Sequence, residues 1–112
     1  MSRFNPALLA ACALFASGVM AAEPSVTITA PADGATLDAM EQNRITYDVA
    51  PGPKGDHTHL YVDGKEVAIL RELKGSRTLG SLAPGKHAIC IKVVNKAHTP
   101  IDLEKCVKVS VD

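Results

Sequence analysis

Tryptophan is absent from this chain of 112 residues, and both phenylalanines, Phe4 and Phe15, lie close to its start. Any core beyond that point has to be assembled from Val, Ile, Leu and the two tyrosines, Tyr47 and Tyr61. An excess of one charge is missing too, since 12 basic residues balance 12 acidic ones. No basic stripe is interleaved with aromatics, which excludes a nucleic-acid-binding surface of the usual kind. Catalytic signatures are equally scarce. Gly75 to Gly80 is not followed by Lys and Ser/Thr, so it is no phosphate loop. No serine occupies a nucleophile elbow, and the scattered acidic residues give little basis for a two-carboxylate hydrolase. An enzyme is not expected.

What is present begins with an export signal. Arg3 precedes an apolar run from Ala7 to Met20, and small residues Ala21 and Ala22 close it. That layout predicts a cleavable signal peptide over residues 1–22, cut after Ala21 or Ala22. The run is too short for a confident membrane span. Leu9-Ala10-Ala11-Cys12 resembles a lipobox, but more hydrophobic sequence follows it than precedes it, so lipidation is rejected. Residues 23–112 are then one exported domain, periplasmic or secreted, with no stable membrane insertion after cleavage and a modest core.

Short alternating runs separated by turn residues fill that domain. Ser25 to Thr29, Arg44 to Val49, Thr58 to Val62, Glu66 to Leu70, His87 to Val94 and Leu103 to Val111 read as strands, with a further short one holding Leu79 and Leu82. Asp63-Gly64 is the strongest hairpin signal, because both residues tolerate the positive φ of a tight two-residue turn. Roughly seven strands with no helical periodicity predict an all-β sandwich.

The cysteines sharpen the register. Cys12 leaves with the signal, and the remaining pair, Cys90 and Cys106, reads first as a disulfide in a small exported domain. Metal thiolates or free thiols are the alternatives, and an oxidising compartment disfavours both. The two are too far apart for a Cys-x-x-Cys redox motif. Setting Cys90 opposite Cys106 also sets Lys92 against Glu104, Ile89 against Val107 and Val93 against Leu103. Charges then meet on one face and apolar residues on the other. Lys105 opposite Ile91 is the discordant pair, requiring a bulge or a snorkelling stem.

Leu82-Ala83-Pro84-Gly85-Lys86-His87, followed by Ile89, Ile91 and Val93, resembles the sixth strand of an immunoglobulin- or fibronectin-type domain. His87 stands where an aromatic often ties the corner to the backbone, which implies a structural role for it. With His57-Thr58-His59 and His98, the pattern resembles bacterial periplasmic immunoglobulin-like families of uncharacterised activity that share an H-x-H, an L-x-P-G-x-H and a final histidine. The resemblance implies a fold and leaves the function open.

Histidine carries the functional signal. His57 and His59 are two apart, so on a strand they share a face, out of phase with the core residue Leu60. In immunoglobulin-like connectivity the loop before His57 and the loop holding His98 lie at the same end, and the corner at His87 lies at the other. His57, His59 and His98 are therefore candidate ligands for copper or zinc, with Asp56 as a candidate fourth and Asp102 nearby. No histidine stands at the mature amino terminus, which removes that mode of copper chelation. Exposed histidines on strands and loops are also common without a ligand. Two functions follow: a metal-binding module, or an accessory domain for an unidentified envelope protein or ligand.

Overall fold

Strands form where apolar and polar residues alternate, and proline, glycine and aspartate end them. The computed structural model describes residues 23–112, so the expected signal peptide and Cys12 lie outside the described residues. Eight strands follow in order: β1 (Ser25–Ala30), β2 (Thr36–Leu37), β3 (Asn43–Ala50), β4 (His57–Val62), β5 (Lys65–Leu70), β6 (Lys74–Gly80), β7 (Gly85–Val94) and β8 (Pro100–Val111). They make two sheets, one ordered β1-β3-β6 and the other β2-β8-β7-β4-β5. Only β2 pairs in parallel, with the end of β8; the other ladders are antiparallel. The all-β sandwich is as expected.

One residue in two along the central strands points between the sheets, and these residues make the core. Ile45, Tyr47 and Val49 come from β3, Leu60 from β4, Ile89, Ile91 and Val93 from β7, and Val107 and Val109 from β8. Tyr47 is the buried aromatic, and burial together with nearby Glu72 raises its hydroxyl pKa. The hairpin turn forms where Asp63-Gly64 predicted it, with φ of 53° and 83°.

Three details differ from the sequence reading. The strand expected around Leu79 and Leu82 runs instead from Lys74 to Gly80, and Leu82 follows it as a buried anchor. The short β2 was not anticipated; it closes the edge of the larger sheet beside Ser110 and Val111. Cys90 does face Cys106, Lys92 faces Glu104 and Ile89 faces Val107, but Val93 does not pair with Leu103. The ladder jumps from Lys92–Glu104 to Val94–Pro100, so a bulge at Ile101–Leu103, with Asp102 at φ 64°, absorbs the extra residues. Lys105 keeps its register with Ile91 yet stays exposed. β2 covers the edge of β8 only from Ser110 onward, which leaves the lysine stem a route to water.

Candidate metal centre

β4 lies between β7 and β5, so its backbone is paired on both sides and its side chains are held in fixed positions. Thr58 and Leu60 face the core, while His57 and His59 project from the opposite face. That opposite face is also covered at this end. His57 is 2% exposed, His59 4%, and Val94, the partner of His57 on β7, is completely buried. The expectation of ordinary exposed histidines on the strand therefore fails for both. His98 remains exposed, on the turn linking β7 to β8.

That turn is built to carry it. Asn95 accepts hydrogen bonds at its Oδ1 from the amides of Ala97 and Thr99, and its backbone carbonyl accepts one from His98 N. His98 adopts φ 64°, a left-handed conformation in which histidine is several-fold enriched among non-glycine residues. On the other side Gly55 leads into Asp56 and His57 where a Cβ would come within 2.6 Å of both Pro51 O and Val93 Cγ1. Only glycine permits so close an approach, and Asp56 N then bonds to Val94 O at 2.8 Å.

The three imidazoles converge. His57 Nε2 is 3.2 Å from His59 Nε2 and 3.2 Å from His98 Nδ1, and the last two atoms are 3.1 Å apart. A triangle of these edges leaves a point about 2.0–2.1 Å from all three corners, the Zn–N bond length of tetrahedral sites. The remaining nitrogens of the two buried rings face carboxylates. His57 Nδ1 lies 2.9 Å from Asp56 Oδ2, and His59 Nδ1 lies 3.1 Å from Glu66 Oε1. A carboxylate accepts only, so in neutral rings it holds the proton on Nδ1 and leaves the lone pair on Nε2. Two lone pairs then face each other at 3.2 Å, and His98 can donate a proton to one of them at most. A cation at the centre satisfies all three.

The three histidines expected at one end of the sandwich do converge, and Asp56 lies outside the group they form. Asp56 stands against the outer nitrogen of His57, its Oδ2 2.9 Å from Nδ1, and is not among the converging atoms. Asp102 is outside the group, which among the described residues comprises His57, His59 and His98. Glu66 was missed, although the hairpin register carries the signal: it pairs with Tyr61 and so shares the face of His59.

His87 is at the other end of β7 from Val94, about 23 Å away at strand rise. Its Nδ1 meets Asp63 Oδ2 at 2.6 Å and its Nε2 meets Ala83 O at 2.6 Å. Asp63 Oδ1 also accepts from Ala88 N at 2.9 Å. The Ala83 carbonyl first, and the Asp63 carboxylate second, raise the His87 pKa; the same contact with His87 is the main reason that of Asp63 falls. The corner is tied through the imidazole to the backbone carbonyl of Ala83. Cys90 and Cys106 form the disulfide, directly across the β7–β8 ladder on the face away from the core.

Among solved structures, the fibronectin(III)-like modules of CbhA from Clostridium thermocellum superpose with a TM-score of 0.64 at 22% identity, covering 78% of this chain and 95% of that one. The fold is a fibronectin type III-like sandwich. The extracellular domain of the putative one component system BT4673 from B. thetaiotaomicron matches with a TM-score of 0.59 at 13% identity, over 83% of this chain and only 16% of that one. At these identities the likeness concerns the fold alone. Neither a protein-family profile nor a curated protein matches the sequence.

Proposed function

We propose that the mature chain is an exported metal-binding module that holds one Zn(II) or Cu(II) ion on His57 Nε2, His59 Nε2 and His98 Nδ1. The observation that carries this reading is the triangle of imidazole nitrogens 3.1–3.2 Å apart, two of them with a carboxylate fixing the outer nitrogen. Imidazole suits both metals, and a ring braced by a carboxylate is the usual companion of a metal ligand. Three protein ligands leave a fourth position to water or to a group brought by another molecule. The disulfide supports an oxidising destination, periplasmic or secreted. Carriage, storage or sequestration of the ion is the role we assign to the site.

The fold favours a second reading, an interaction domain without catalysis, since sandwiches of this type serve many unrelated roles. β5 is an edge strand bearing the exposed apolar residues Val67 and Ile69, which a protein partner could cover. Calorimetric titration of the mature protein at neutral pH separates the two. The metal reading expects one ion per chain, bound tighter than about 10 μM, or about 7 kcal/mol. His59→Ala should abolish that uptake and His87→Ala should leave it unchanged. A wild type that takes up neither metal leaves the interaction domain as the function.

A further inference from the structure

Building on the metal-binding reading, we infer that Asp56 and Glu66 are positioning residues that select a divalent ion over a cuprous one. Charge on the ion matters most where solvation is poor. Three neutral imidazoles bring no charge to the ion, and their two buried members are 2% and 4% exposed. One carboxylate lies 2.9 Å from the outer nitrogen of His57 and another 3.1 Å from that of His59. Together they neutralise a dication, while a monovalent ion leaves a negative charge uncompensated beside buried rings. Coulomb terms count for more there than in water.

Among the described residues no lysine or arginine forms an ion pair with either carboxylate. Lys92 stands opposite His59 on β7, but its ammonium lies over the Tyr61 ring, 4.5 Å from the centroid. The donor set agrees with the charge. Cu(I) prefers thiolate and thioether ligands, whereas Cys90 and Cys106 are bonded to each other and Met40 is 92% exposed. A carboxylate on Nδ1–H also makes Nε2 a stronger donor, which favours the harder divalent ion. The carboxylates themselves are 36% and 45% exposed, so water screens part of their effect. The lower end of the usual range, about tenfold in affinity for each, is therefore expected.

The test uses Asp56→Asn and Glu66→Gln, each of which retains the accepting oxygen and loses only the charge. Wild type and both variants are titrated with Zn(II), and with Cu(I) under anaerobic conditions, by competition against a chelator. The midpoint potential of the copper-loaded protein is measured alongside. Each variant should lose about tenfold in Zn(II) affinity, with Cu(I) affinity changed by less than about twofold. The potential should rise, by about 59 mV for each tenfold loss of Cu(II) over Cu(I). Equal losses for both ions, or unchanged Zn(II) affinity, with the potential unmoved, would overturn the selection while leaving the metal site standing. Failure of the wild type to bind any of these ions would overturn the site itself.

Discussion

Thr58 separates His57 and His59 in sequence and faces the opposite side of the strand, where it is completely buried and its hydroxyl has no hydrogen-bond partner among the described residues. A buried hydroxyl left unpaired costs about 1–3 kcal/mol, and valine has nearly the same shape. Thr58→Val should therefore stabilise the domain by about 1 kcal/mol in urea unfolding, with metal affinity unchanged because the ligands are on the other face. His87 offers the opposite test, of a polar side chain with every partner in place. Its pKa is raised in the folded state, so its contribution to stability is complete below its ordinary 6.5 and is lost as pH rises through the folded value. Asp63 is lowered, so its contribution is complete above its ordinary 3.8 and is lost as pH falls through the folded value. Between those limits the corner is at full strength. In metal-free protein the stability advantage of wild type over His87→Gln should shrink from pH 6 to pH 8, as measured by chemical denaturation. A constant difference would mean that the imidazolium form is not what the corner holds.

At the scale of elements, the disulfide joins the two longest strands and closes a loop with a sequence separation of 16. In the chain-entropy model this stabilises by about 3 kcal/mol. For a domain of this size each kcal/mol moves the melting temperature by about 4–8 °C, so reduction should lower it by more than 10 °C, roughly speaking. Melting curves with and without reductant check this. The bridge was legible because a single register satisfied the cysteines, the Lys92–Glu104 charges and the core pair Ile89–Val107 together. β6 was poorly legible for an equally physical reason. Lys74-Gly75-Ser76-Arg77-Thr78-Leu79-Gly80 is an edge strand with only Gly75 and Leu79 partly buried, so it never develops an alternating pattern. Its pairing rests on backbone bonds to β3 and on Arg44, whose guanidinium donates to Ser76 and Thr78. The bulge on β8 escaped notice because proline and a left-handed aspartate interrupt a ladder that alternation alone would continue. Asn95 escaped because its work is local hydrogen bonding, which leaves no periodic trace. Asn95→Ala removes two bonds that hold the turn and should weaken Zn(II) binding by roughly tenfold, with the melting temperature of the metal-free protein little changed. Calorimetry and melting curves read the two effects separately.

At the scale of the molecule, the described sandwich gathers three imidazoles at one end and ties the His87 corner at the other. β7 runs from the His87 corner to Val94 beside His57, and its buried isoleucines make the span between them rigid. The convergence of three histidines was legible because H-x-H on a strand and a histidine in the following loop are brought together by connectivity alone. Burial of the first two was not legible, since it depends on how the 95–99 turn folds over the sheet. The proposed site holds one ion on His57 Nε2, His59 Nε2 and His98 Nδ1. Long-range proton–nitrogen NMR of the imidazoles, recorded before and after one equivalent of Zn(II), reads this nitrogen by nitrogen. On loading, these three nitrogens should shift, Nδ1 of His57 and His59 should remain protonated, and both nitrogens of His87 should stay where they were. Zinc-induced shifts spread equally over all four rings, or confined to the exposed His98, would contradict the proposed site.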